Sequence, residues 1–162
     1  MIELRQIGPD EWEIWKHQRL AALKIAPYAF SSKLADWENA PEQRWRDRLS
    51  MPGGYQVVAS LQDTIVGMAG GILLSESEAA ELVSMWVTPS ARGRGVGDTL
   101  VAAIEEWAYG IGVTTLKLSV VETNFAARKL YFRNGFVDVE LGSSDIEIDD
   151  MCRERLMVKQ KQ

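Results

Sequence analysis

Three glycines at alternate positions mark the segment Pro89-Ser90-Ala91-Arg92-Gly93-Arg94-Gly95-Val96-Gly97-Asp98. Glycine lets a backbone turn tightly and approach a ligand with no Cβ in the way. An amphipathic stretch starts at Val96, and the first N–H groups of a helix have no internal partner. With the helix dipole they make an anion site. Arg92 and Arg94 add fork-shaped cationic donors suited to phosphate. A pyrophosphate is the natural guest. The plainer alternative is a strand-to-helix turn that needs glycine, with two solvated arginines. The P-loop spacing requires a lysine after the glycines, and none follows here. The dinucleotide fingerprint Gly-x-Gly-x-x-Gly is missed by one residue. Glu122 does end the next predicted strand, where that fold puts its ribose-binding acid, but only one strand–helix–strand unit is visible.

The elements that must hold this turn follow from periodicity. Ile2–Ile7 alternates apolar and polar residues, a strand stopped by Gly8-Pro9. Asp10, with Glu13 three residues on, starts a helix to Ile25, and Pro27 ends it. Tyr28 to Asn39 has no clear period and reads as a loop. Pro41 starts a short helix through Leu49. Tyr55–Leu61 and Thr64–Leu74 form a hairpin about Gln62-Asp63. Glu81–Thr88 is a strand stopped by Pro89. Val96–Ile111 is a helix with Leu100, Ile104, Trp107, Ala108 and Ile111 on one face. Thr114–Val121 is a strand. Asn124–Asn134 is a helix, with Gly135 at the left-handed C′ position. Phe136–Leu141 and Cys152–Val158 are two final strands around an acidic loop. This order predicts a mixed sheet with helices on its faces, in the α/β or α+β class. The length predicts one domain over residues 1–162.

Charge and cysteine usage exclude several functions. Lys and Arg number 18 against 23 Asp and Glu, a net charge of −5. Binding to nucleic acid by phosphate neutralisation is therefore not expected. One cysteine, Cys152, and one histidine, His17, can build neither an internal disulfide nor a usual zinc site. Cys152 reads as a packed thiol. Asp145, Glu147, Asp149 and Asp150 lack the central glycine and terminal glutamate of a calcium loop. No metal is expected. With no long apolar run and no leader pattern, the expectation is a cytoplasmic chain with no membrane partner.

Arg92-Gly93-Arg94-Gly95-Val96-Gly97 resembles the Arg/Gln-x-x-Gly-x-Gly/Ala signature of the GNAT N-acetyltransferase superfamily. The likeness extends upstream to Val87-x-Pro89. Downstream it reaches Asn124-x-x-Ala127-x-x-Leu130-Tyr131-x-x-x-Gly135-Phe136, the family's second signature. The resemblance implies a mostly antiparallel sheet with splayed fourth and fifth strands and helices on both faces. Acetyl-coenzyme A would enter the gap as co-substrate. Its pyrophosphate would sit on the amides of Arg92, Gly93, Arg94, Gly95, Val96 and Gly97. Its pantetheine arm would lie along Met85, Trp86 and Val87 like an added strand, since an open strand edge offers unpaired N–H and C=O groups.

Acyl transfer to an amine needs a base, because an alkylamine is almost fully protonated at neutral pH. It also needs an acid for the departing thiolate. The resemblance points to Tyr131 as the acid, against a helix tyrosine that merely packs on the sheet. Asn124 is either a helix N-cap or a hydrogen-bond partner of the pantetheine or thioester. Glu81, eleven residues before Arg92, matches the catalytic glutamate of the histone-type branch. Its plainer reading is a solvated charge at a strand end. Ser119 stands where the ribosomal-protein branch has its base and cannot serve as one. Glu122 is a nearby alternative.

The acceptor is expected to be a primary amine of a small molecule or peptide. Tyr28, Phe30 and Trp37 are candidates for an aromatic wall or for core. The acidic balance mildly favours a basic acceptor. The fold often dimerises through sheet edges, so a homodimer is compatible with it. A second reading is an acyl-coenzyme A-binding sensor of the same fold that has lost turnover.

Overall fold

The structure is a computed structural model that describes residues 1–25, 34–75, 78–139 and 154–161. Among these, β1 (Ile2–Gln6) is followed by a short 3-10 turn and α1 (Trp12–Ile25). Then come α2 (Leu34–Trp37), α3 (Glu42–Leu49), β2 (Gly54–Leu61), β3 (Thr64–Leu73) and β4 (Ala79–Val87). The chain continues through α4 (Val96–Gly110), β5 (Thr115–Val121), α5 (Phe125–Arg133), β6 (Val137–Asp138) and β7 (Glu154–Gln160). The strands form one sheet in the order β1-β2-β3-β4-β5-β7-β6. Every neighbouring pair is antiparallel except β4–β5. This is the mixed, mostly antiparallel α/β sheet expected.

Two differences from the expected elements stand out. The stretch read as loop up to Asn39 contains α2, which at four residues is too short to show a helical period. The strand expected over Phe136–Leu141 is two residues long within the described part. Tyr28, Phe30, Cys152 and the acids Asp145, Glu147, Asp149 and Asp150 lie outside the described residues. Among the described residues, no helix is long and apolar enough to cross a membrane.

Alternation along the strands loads both faces of the sheet. One face meets α4 and α5 over Leu100, Ile104, Leu116, Leu118, Phe136 and Met157. The other meets α1 and α3 over Trp15, Trp45, Val58, Met68 and Trp86. Trp15 is 1% and Trp45 0% exposed. Buried side chains of this size typically contribute about 3–5 kcal/mol each, measured by truncation to alanine. The two faces are therefore separately anchored, which leaves the sheet's own geometry to shape the site.

β4 breaks its own alternation. Met68 pairs with Trp86 and Gly70 with Val83, so β4 carries one extra residue between these rungs. The bulge passes through Ser84, which has φ +56 without being glycine. A left-handed conformation at such a residue costs about 1–2 kcal/mol. Its effect is a switch of face. Leu82 packs on the α4 side, and so do Met85 and Val87 beyond the bulge, while Trp86 turns to α1 and α3.

Candidate active site

β4 and β5 hydrogen-bond only at their first rungs, Ala79 with Thr115, Ala80 with Leu116 and Glu81 with Lys117. Past Glu81 they diverge, and the edge of β4 from Leu82 onward has no strand beside it. Between the diverging strands lies a cavity of about 850 Å³. Leu82 to Val87 wall one side and Ser119 to Val121 the other. The N-terminus of α4 and the inner face of α5 complete it, and Ile25 at the end of α1 reaches its rim. An unpaired strand edge cannot be left in a dry interior. Here it faces open space that an amide-bearing chain can enter.

The glycine turn delivers the start of α4 to this cavity. Gly93 has φ +80 and Gly95 φ +84. A Cβ at either would meet nothing within 4 Å. Glycine is needed there for conformation, and the space beside the backbone stays open. Gly95 is the N-cap of α4 and offers no side chain to the first N–H groups, which leaves those of Val96 and Gly97 without a capping side chain. Gly97 is different: its Cβ would come within 3.0 Å of the Leu130 side chain. The third glycine is there for the close packing of α4 on α5. Arg92 lines the cavity. Its Nε donates to the Val87 carbonyl at 3.0 Å, and its guanidinium lies 4.9 Å from the Trp86 ring centre. Arg94 is exposed and is not part of the cavity wall.

Sequence reasoning missed the clamp that holds the two helices at this point. Asp98, in the first turn of α4, accepts bonds from Arg133 Nε at 2.9 Å and Nη2 at 3.0 Å, and from Asn134 Nδ2 at 2.8 Å. These bonds hold the Asp98 carboxyl below its usual range, with the Arg133 bond the main cause. The clamp neutralises an acid that would otherwise repel an anion at the helix N-terminus.

Tyr131 and Asn124 both reach the cavity. Tyr131 is 5% exposed and packs edge-on against Phe136 at 5.9 Å. Burial pushes its hydroxyl far above the ordinary tyrosine value, so it stays a proton donor. Asn124 is the N-cap of α5, its Oδ1 accepting from the Ala127 amide at 3.3 Å. The cap uses the oxygen and leaves the Nδ2 donor for the cavity.

The carboxylates separate into two kinds. Glu122 is bonded to Arg155, at 3.2 Å from Nε and 3.0 Å from Nη2. The alternative carboxylate is thus held by a cation of the last strand. Glu81 stands on the last paired rung of β4, one residue below the cavity wall and on the α1/α3 face. Its carboxyl is raised above the usual range, first by burial, then by Glu154, against an opposing effect of Lys117. Burial raises Glu154 too. Glu154 went unnoticed because it opens the last strand, more than seventy positions from Glu81, and only the sheet brings the two together. Among the described residues, no cluster of three or more His, Cys, Asp or Glu could hold a metal.

The chain belongs to the acetyltransferase (GNAT) family, whose model matches residues 17–136. It is 27% identical to a mycothiol acetyltransferase of Renibacterium salmoninarum over 140 residues, which is 83% of this chain and 40% of that protein. It is 30% identical over 140 residues to a mycothiol acetyltransferase of Streptomyces bingchenggensis, covering 86% of this chain and 44% of that one. The chain thus spans less than half the length of these relatives. In fold it resembles a GNAT-family acetyltransferase from Streptococcus pneumoniae, with TM-score 0.81, 20% identity and full coverage of both chains. It also resembles the PaiA N-acetyltransferase of Thermoplasma acidophilum in complex with coenzyme A, with TM-score 0.73, 18% identity and 99% coverage of both.

The glycine turn makes a first expected result. Gly95→Val puts a β-branched side chain at φ +84, a strain of roughly 1–3 kcal/mol, and fills the open space beside the helix N-terminus. It lowers both the melting temperature and the affinity for acetyl-coenzyme A, measured by thermal unfolding and calorimetry. Unchanged affinity in a folded Gly95→Val protein would show that the turn serves architecture alone.

Proposed function

We propose that residues 1–162 act as one acetyl-coenzyme A-dependent N-acetyltransferase domain, which passes the acetyl group directly to a primary amine in a ternary complex. The observation that carries this reading is the splay of β4 from β5 onto the uncapped start of α4. An unpaired strand edge and an anion site face one cavity, as a ligand with both amides and a pyrophosphate requires. When bound, the coenzyme supplies an acetyl thioester. The amides from Arg92 to Gly97 hold its pyrophosphate, and the edge of β4 at Met85, Trp86 and Val87 pairs with the pantetheine amides. Asn124 Nδ2 adds a donor from the opposite wall.

The proton steps then divide between two faces. Glu81, through a water, takes the proton that the ammonium group must lose before attack. Its raised carboxyl suits a base better than a free glutamate does. A backbone N–H at the β4 bulge meets the oxyanion of the tetrahedral intermediate. Tyr131, on the coenzyme side, gives its proton to the departing thiolate. The relatives named mycothiol acetyltransferases support a small-molecule acceptor, and a cytoplasmic setting suits the coenzyme. The test is release of free thiol from acetyl-coenzyme A across a panel of amines, with mass spectrometry of the acceptors. Amine-dependent release with acetylated product is expected. Binding of the coenzyme without such release would favour the non-catalytic sensor.

A further inference from the structure

The gap between β4 and β5 closes at its inner end on the side of α4. Glu81 and Lys117 form the last paired rung, and on the rung beneath it Ala80 and Leu116 are both fully buried. Leu82 is the first residue of β4 past the last rung, and Val120 stands three residues past Lys117 on β5. Both line the cavity, as does Tyr131 of α5. Leu82 is 3% and Val120 4% exposed, so both are as closed in as Tyr131. All three belong to the same packed cluster as Leu100, Ile104 and Leu118. Each therefore has the core behind it. A side chain held in this way cannot swing aside for a ligand without a shift in the core.

The other end of the cavity is the start of α4. A coenzyme whose pyrophosphate sits there, and whose arm runs along Val87, Trp86 and Met85, brings its thioester to Ser84 and Val83, at about 3.3 Å of strand per residue. Its acyl group then reaches Leu82. On the α4 side the chain has nowhere further to go. On the other side Ser119 is exposed and lines the same gap, and Glu81 lies on that face. That opening is the amine's way in, so an acyl tail turned toward it stands in the path of attack.

We propose that Leu82 and Val120 set the length of the acyl group, so that the protein takes an acetyl donor and rejects donors of butyryl length or longer. The proposal rests on the acetyltransferase reading. One methylene too many in an apolar pocket typically changes discrimination about 10–200-fold, and a core with little room to relax keeps that effect large. Neither residue takes part in the proposed proton steps. Both act through the shape of the space alone.

The test measures the Kd of free coenzyme A and of its acetyl, butyryl and hexanoyl thioesters by calorimetry, which needs no acceptor amine. It is run on the wild type, Leu82→Ala, Val120→Ala and Leu82→Met. The wild type is expected to bind hexanoyl-coenzyme A roughly 10–200-fold more weakly than acetyl-coenzyme A, with the butyryl thioester in between. Leu82→Ala opens room for added methylenes and removes most of that difference, and Val120→Ala removes part of it. Leu82→Met conserves volume and keeps the wild-type ratio. All three variants bind acetyl-coenzyme A nearly as the wild type does. Where Leu82→Ala melts too low to measure, Val120→Ala carries the same comparison. Equal binding of the acetyl and hexanoyl thioesters by the wild type overturns the proposal. So does a wild-type ratio in folded alanine variants, which would mark both residues as core packing only. Failure of both free and acetyl-coenzyme A to bind the folded wild type removes the acetyltransferase reading as well.

Discussion

Tyr131→Phe leaves acetyl-coenzyme A affinity nearly unchanged and lowers kcat by about 10²–10⁴-fold, the usual range for loss of a positioned acid. The ring packs in the core beside Phe136, and phenylalanine keeps that packing. Only the oxygen is lost. In the wild type, burial holds the hydroxyl protonated well beyond ordinary working pH, so it can only donate. In the proposed role its contribution falls after binding, when the thiolate leaves, and the Kd is then not expected to register it. Steady-state kinetics with calorimetry on the same variant separates the two effects. Full kcat, with chemistry shown to limit the rate, would leave Tyr131 a structural residue.

Glu81→Gln acts on the opposite step and shows it through pH. The variant has no carboxylate to accept the amine's proton, and a loss of about 10²–10⁴-fold is expected at neutral pH. The deficit shrinks as pH rises toward the amine's own pKa near ~10.4, because the substrate then arrives neutral. Tyr131→Phe has no reason to recover in this way, so one pH series distinguishes acid from base. Stability carries a second signature. The folded-state value for Glu81 lies above its unfolded one, so the native protein binds more protons between the two. Stability is then complete below the unfolded value and falls as pH rises through the folded one. Glu81→Gln removes that fall and melts higher than the wild type at neutral pH. A variant that loses neither activity nor this pH dependence of melting would show Glu81 to be an ordinary surface charge.

The site was legible in sequence where a local rule is written in residue type. Gly93 and Gly95 sit at positive φ because a turn into α4 needs it, and glycine announces that need. Asn124 announces a helix start in the same way, and its Oδ1 makes the cap bond. The β4 bulge was not legible, because its left-handed residue is Ser84, a type that gives no such signal. Yet this bulge is what turns Met85 and Val87 to the α4 side of the sheet. Gly97 was legible as a glycine but not for its reason, since the Leu130 side chain that requires it lies one helix away. The pairing of Glu122 with Arg155, the approach of Glu154 to Glu81 and the clamp from Arg133 to Asp98 are long-range. Each depends on the order in which β5 and β7 join the sheet or on how α5 packs against α4, and no periodicity encodes either. The Arg94 side chain is exposed and lies outside the cavity wall, a placement that residue type alone does not show.

The central claim is that the gap between β4 and β5, with the bare start of α4, is built for acetyl-coenzyme A. The direct measurement is thermal unfolding of the free protein with acetyl-coenzyme A and, separately, with NAD. Ligand at about one hundred times its Kd stabilises a folded protein by roughly 2.7 kcal/mol. For a domain of this size that is a rise of several degrees or more. The account predicts this rise with acetyl-coenzyme A and none with NAD. No rise at millimolar acetyl-coenzyme A in a folded sample, or an equal rise with NAD, would contradict it.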